Sequence, residues 1–155
     1  LVVWDVDLVL IYTRKNGNGF CSKSVPLHPR ANTLLGALHA LDIEMILCSS
    51  GYGTVLKLQD ANIGLSFFEM ILENLESAKD GRTKGRAVSE YINSLRPEER
   101  HVVFVDDQAH YHCKRGFKED ILASGVSEVT AIQHNEHHLY DSRNKDIYSC
   151  SKNLD

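Results

Sequence analysis

Residues 1–9 read LVVWDVDLV. Four apolar residues, Leu1 to Trp4, run without a polar break and then meet two acids, Asp5 and Asp7, one residue apart. An unbroken apolar run predicts a strand buried on both faces, as the strands of parallel sheets are. The acids then fall just past its carboxyl end. The same pattern returns at residues 101–107, HVVFVDD, where a strand predicted over His101 to Val105 ends at Asp106 and Asp107. It returns again at residues 43–50, IEMILCSS, with Ser49 and Ser50 in the terminal place.

Between these runs the periodicity turns helical. Residues 31–41 carry Leu34, Leu35, Leu38 and Leu41 at helical spacing. A second helix is expected over 54–61, stopping near Gly64, and a third over 83–95, which Pro97 ends. Residues 70–72 and 129–132 read as further short strands, and 114–124 as a helix capped by Gly125. The order βαβαβαβαβ predicts an α/β fold: a Rossmann-like three-layer α/β/α sandwich around a parallel five-stranded sheet. Residues 9–25 interrupt the first unit. Apolar residues resume at VLIY, and KNGNG at 15–19 is a strong turn signal, so a hairpin-like flap is expected there. The reading is one domain over 1–133, followed by residues 134–155, polar and aperiodic, as a surface tail.

Bulk composition narrows the function classes. A chain of 155 residues with 43% hydrophobic and 25% charged residues suits one domain with a sizeable core. The net charge of -4 argues against nucleic-acid binding driven by bulk charge. No apolar run approaches the ~20 residues that span a bilayer, and no signal-peptide pattern opens the chain, so a membrane partner is not expected and a cytoplasmic location is. Cysteines stand at 21, 48, 113 and 150 with no metal-ligand spacing; Cys48, inside an apolar run, is expected to be a buried thiol, and a reducing compartment is the simplest reading, with a disulfide among the other three left open by the spacing. Leu1 opens directly into a strand, which suggests that the natural chain begins earlier.

In open parallel sheets the ligand lies beyond the carboxyl ends of the strands. Asp5 and Asp7, Ser49 and Ser50, and Asp106 and Asp107 should all meet there, joined by Lys84 at the start of the third helix. Lys79, in a nearby polar loop, is the alternative to Lys84. Clustered carboxylates repel unless a hard cation holds them, and oxygen-only ligands suit Mg²⁺. A lysine beside such a cation would offset charge on a transferring phosphoryl group. Serine hydroxyls and backbone N–H groups can bind its oxygens. One carboxylate can attack phosphorus and another, two residues on, can shuttle the proton.

Four segments together resemble the haloacid dehalogenase (HAD) superfamily. VVWDVDLVL resembles its first motif, MILCSSG its second, Lys84 in RTKGRAV its third and VVFVDD its fourth, in the family's order across residues 1–107. The resemblance implies Asp5 as nucleophile and Mg²⁺ ligand. It implies Asp7 as general acid/base, with its backbone carbonyl on the metal. Ser49, with Ser50, would bind the substrate phosphate, Lys84 would steady nucleophile and phosphate, and Asp106 and Asp107 would serve the metal. An acid at position 7 resembles the phosphatases and phosphomutases of the family. No cap domain fits in the available lengths, which resembles the cap-less members that act on macromolecules. A phosphoprotein, with phosphotyrosine as one option, therefore stands ahead of nucleic acid as substrate.

Other readings stay open. A small-molecule phosphatase could borrow its cap from an oligomer, and a catalytically idle HAD-like module could bind a partner. A receiver domain uses similar residues, but places its paired acids after the first strand and its lone phospho-acceptor after the third. Delivery into a host cell by a bacterium is an alternative to a resident cytoplasmic role. The histidines at 110, 112, 134, 137 and 138 are dense but lack a convincing metal set, and are read as surface polar residues. Trp4 is expected in the core beside the site.

Overall fold

The computed structural model describes residues 1–15, 21–76, 81–95, 100–141 and 146–154. Five parallel strands form the centre: β1 (Val2–Trp4), β4 (Met45–Cys48), β5 (Met70–Leu72), β6 (His101–Asp106) and β7 (Glu128–Asp141). They lie in the order β5-β4-β1-β6-β7. Numbered along the chain, the five parallel strands run 3-2-1-4-5, the Rossmann-like order. The flavodoxin-like order of receiver domains would be 2-1-3-4-5, so the topology sets that alternative aside. The direction of winding reverses between β1 and β6, and the crevice above that switch point is where such sheets bind ligands.

Strand alternation divides the core into two layers. Val3, Ile46, Cys48, Val102 and Phe104 pack on one face with α3 (Lys84–Asn93), α4 (Ala109–Lys114) and α5 (Phe117–Leu122). Met45, Leu47 and Val105 pack on the other with α1 (Ala31–Ala40) and α2 (Thr54–Asp60). β4 and most of β6 thus bury both faces, which is why these segments read as unbroken apolar runs. Phe104 of β6 stacks on Phe117 of α5 with ring centroids 3.9 Å apart. Gly85 sits where α3 crosses α5; a Cβ there would stand 3.0 Å from the Phe117 Cα. The missing side chain lets α3 approach closely, and α3 carries Lys84 on its first turn.

The flap is a two-stranded antiparallel hairpin, β2 (Ile11–Lys15) with β3 (Cys21–Pro26). Its expected turn includes residues 16–19, which lie outside the described residues, as does Pro97. Two expectations need correction. The helix expected over 114–124 is shorter, α5 at Phe117–Leu122, and a separate helix, α4, precedes it; Gly116, whose φ of 89° cannot continue a helix, divides the two. The tail expected from residue 134 is instead strand: β7 runs on to Asp141 and β8 (Asp146–Leu154) pairs antiparallel with it, adding a sixth strand to the sheet. Their register sets Leu139 opposite Tyr148 and Tyr140 opposite Ile147. Pairing across strands can order a segment whose own composition shows no periodicity. No helix among the described residues is long and apolar enough to cross a membrane.

Candidate active site

β1 and β6 lie side by side, with Trp4 opposite Val105, so their terminal acids emerge together. Asp5 is held by its backbone N–H, which donates to the Val105 carbonyl at 2.9 Å. Lys84 reaches both strands. Its Nζ donates to Asp5 Oδ1 at 2.9 Å and to Asp106 Oδ2 at 2.6 Å. All three side chains are buried: Lys84 is 2% exposed, Asp5 8% and Asp106 0%. Lysine is almost never buried unless paired, so the two carboxylates are what hold it there. Burial alone would lower the Lys84 ammonium, but Asp5 and Asp106 outweigh it and hold it above the ordinary lysine range.

Carboxylate oxygens of Asp5, Asp106 and Asp107 all lie within 4.8 Å of one another. Burial pushes the Asp5 carboxyl up to about 7, with Lys84 opposing the rise and Asp106 adding to it. Asp107 is raised by burial and by Asp106. Burial is the larger cause of both shifts, and the neighbouring Asp106 carboxylate adds to each. If all three ionise, two negative charges remain, and a divalent cation would cancel them. Mg²⁺ ligand distances put octahedral oxygens about 2.9 to 4.2 Å apart, so the triad fits such an ion with little adjustment. The same span would accept the longer distances of Ca²⁺. The triad can therefore hold a hard divalent metal, and its geometry does not choose between the two.

The other expected residues border the same cavity, of about 230 Å³, which Asp5, Asp7, Ser49, Ser50, Lys84 and Asp107 help to line. Ser49 is buried, and its Oγ accepts from the Gly51 N–H at 3.1 Å, a tight turn rather than a helix cap. The N-cap of α2 is Gly53, and the Thr54 N–H is met by Glu73 at 3.0 Å. A Cβ on Gly51 would stand 3.5 Å from Asp7 Oδ2 and 3.6 Å from Ser49 Oγ, so Gly51 leaves room between them. Asp106 also shapes the backbone, because its Oδ1 accepts from the Gln108 N–H at 2.6 Å, at the start of α4. Lys79, the alternative lysine, lies outside the described residues. A larger cavity of about 430 Å³, bordered by Trp4, Leu34, Leu35, Val105 and Ile132, is mainly apolar and contains none of the acids. The acids and Lys84 line the smaller one.

No known family's sequence pattern and no curated protein matches this chain.

Several site residues were not legible beforehand. Lys57, on α2, binds both oxygens of Asp7 at 3.1 and 2.9 Å. The Asp7 carboxylate therefore stands on its own lysine, apart from the acidic triad. Leu8, next in the chain, has a φ of 63°, and its carbonyl lies 2.9 Å from His134 Nδ1. His134 thus pins the strained turn that carries Asp7. It is buried, as is His112, which corrects the surface reading of these two histidines; His110 is exposed, as expected. The side chains of His137 and His138 lie outside the described residues. Burial lowers the basicity of His112, which sits between two acids, with Nε2 3.6 Å from Asp106 and Nδ1 3.4 Å from Glu76.

Glu76 anchors this inner side. Its Oε1 accepts from the Lys84 N–H at 3.1 Å, its Oε2 pairs with Arg115, and its backbone is held at a φ of 61°. Glu76→Ala should leave the first turn of α3 without its acidic partner and His112 with Asp106 alone. Removing one partner of a buried polar pair costs about 1–3 kcal/mol, and urea denaturation should show a loss of that size. Glu76→Gln keeps the acceptor for Lys84 and should lose less. An unchanged midpoint in Glu76→Ala would show that this anchor contributes nothing.

Proposed function

We infer that the chain is a Mg²⁺-dependent phosphomonoester hydrolase of the haloacid dehalogenase type, acting through an aspartyl phosphate on a phosphoprotein. The observation that carries this reading is Lys84 bridging Asp5 and Asp106, partners 79 and 22 positions away in the chain. A strand-end nucleophile, a strand-end metal ligand and a helix-start lysine share one point, as phosphoryl transfer through a carboxylate needs. Ser49 and Asp7 on the same cavity supply an oxygen ligand and a proton carrier.

The residues divide the work in two steps. In the first, Asp5 attacks phosphorus; the bond to the leaving oxygen breaks, and that oxygen takes a proton from Asp7. In the second, Asp7 removes a proton from water, which attacks the acyl phosphate and releases phosphate and free Asp5. Lys57 on Asp7 steadies its carboxylate form between steps. Lys84 offsets charge on Asp5 and on the phosphoryl oxygens. Mg²⁺ bound by the triad would keep Asp5 ionised and draw charge from the phosphoryl group; phosphoryl chemistry is the reason to favour it over Ca²⁺.

Substrate class follows from access. Among the described residues the segment between Leu10 and Leu27 contributes only the flap hairpin, which supports a crevice open to a large partner. The reading is tested by hydrolysis of p-nitrophenyl phosphate, phosphotyrosine and phosphoserine peptides, and sugar phosphates. Peptide preference is expected; preference for the sugar phosphates would transfer the reading to a small-molecule phosphatase. Chelation with EDTA should stop hydrolysis and added Mg²⁺ restore it. Mg²⁺ at 100 times its dissociation constant should also stabilise the fold by about 2.7 kcal/mol. Full activity without any divalent ion would overturn the role given to the triad.

A further inference from the structure

The rim of the crevice joins two unlike surfaces. Where the chain leaves Gly51 and enters α2, Tyr52 is 78% exposed, Leu56 73% and Val55 40%. Single exposed apolar residues are ordinary, but three within five positions beside a catalytic crevice mark a surface that meets something. Of the three, Leu56 looks across to the flap. A cavity of about 540 Å³ opens between the two, bordered by Asp7, Leu56, Lys57 and Asp60 on one side and by Lys23 and Ser24 on the other. It shares Asp7 with the catalytic cavity. A leaving group that receives its proton from Asp7 would therefore extend into it.

The charges here are unevenly committed. Asp7 is held by Lys57. Asp60 Oδ2 accepts from the Ser24 N–H at 2.5 Å. Lys23 is exposed and makes no hydrogen bond or ion pair among the described residues. Among the described residues, the space outside the crevice thus offers Lys23 as an uncommitted cation across from Leu56.

We propose that this rim reads the polypeptide around the phosphorylated residue, seating an apolar side chain on Tyr52 and Leu56 and an acidic one on Lys23. The proposal rests on the phosphatase reading, because Asp7 directs the leaving group here. Its partner is a phosphoprotein segment with an acidic and an apolar neighbour to the phosphoresidue. A small phosphoester would not cover the exposed apolar wall.

Binding separates this proposal from turnover. Asp5→Asn protein with Mg²⁺ is titrated, by fluorescence anisotropy, into three labelled nonapeptides with a central phosphotyrosine. One carries Glu and Leu flanks, one has the Glu replaced by Lys, and one has the Leu replaced by Ser. A single exposed ion pair shifts affinity about two- to fivefold, so exchanging attraction for repulsion should shift it about tenfold. The Glu peptide should bind about tenfold tighter than the Lys peptide, and adding Lys23→Glu should reverse their order. Leu56→Ser should remove the advantage of the Leu peptide over the Ser peptide. All these positions are exposed, so the fold should survive the changes. An unaltered Glu-over-Lys ratio in Lys23→Glu, or equal binding of the three peptides, overturns the proposal. Sedimentation covers the other occupant: a dimer that Tyr52→Ser and Leu56→Ser dissolve would assign the wall to a second copy and also overturn it. Hydrolysis of p-nitrophenyl phosphate by the unaltered chain reports on the phosphatase reading alone. That activity without flank discrimination sinks the rim proposal only; flank discrimination without it keeps the rim and sinks the phosphatase.

Discussion

Asp5→Asn should abolish turnover, by roughly 10⁴- to 10⁶-fold, because an amide oxygen cannot form the acyl phosphate and loss of a nucleophile costs on that order. The fold should not suffer. Asp5 is one of three clustered acids and shares Lys84 with Asp106, and its carboxyl is already pushed up to about 7 by burial. Asparagine keeps an oxygen for the Lys84 ammonium, now 2.9 Å from Asp5 Oδ1, and removes one of the repelling charges. Without added metal, the melting temperature should stay level or rise. With Mg²⁺ the gain in melting temperature should shrink, since one charged ligand is gone. The two readouts answer different questions. Activity retained in a clean preparation would remove Asp5 as nucleophile; a large fall in melting temperature without metal would mean that the carboxylate itself is needed for structure.

Lys84→Met should be the most damaging single change to stability. It removes the only ammonium that reaches Asp5 and Asp106 among the described residues and leaves both acids buried without it. Breaking a buried ion pair by deleting one partner typically costs about 3–5 kcal/mol. The loss should fall toward the low end of that range, because Asp5 can relieve the cluster by taking a proton. A divalent cation should return part of it. Denaturation with and without Mg²⁺ should therefore show a larger metal-dependent gain in Lys84→Met than in the unaltered chain. Turnover should be lost in either condition, since Lys84 also faces the phosphoryl group in the proposed reaction. A variant as stable as the unaltered chain, with EDTA present, would show that Lys84 does not hold the acids together.

Both predictions rest on residues that can be picked out of the chain unaided, and the reason is local. Asp5, Ser49 and Asp106 each end an unbroken apolar run, and Lys84 opens an amphipathic one. Strands buried on both faces and helices buried on one write their period into the sequence directly. Once the runs alternate, a right-handed parallel sheet follows, and every strand end faces the same way. The strand spans of β4, β5 and β6 and the helices α1, α2 and α3 follow from that logic to within a few residues.

What surrounds those residues was decided by the tertiary structure. Lys57 is one charged position on a short helix, and nothing in its neighbours marks it. It meets Asp7 only because α2 descends beside the first loop, a contact across 50 positions. His134 and Leu8 lie 126 positions apart, and their contact exists because β7 lies next to β6 and runs past the crevice. Glu76 and His112 had the same obscurity: a loop acid and a helical histidine, each ordinary in isolation, made neighbours by the packing of α3 on α5 and of α5 on α4. The hairpin of β7 and β8 draws its order from cross-strand pairing, which periodicity within one strand cannot reveal. By itself, then, the sequence determined the sheet and the strand-end acids, because burial imposes a period on neighbouring residues. The partners that set each acid's charge and orientation came from the fold alone, because long-range contact leaves no periodic trace.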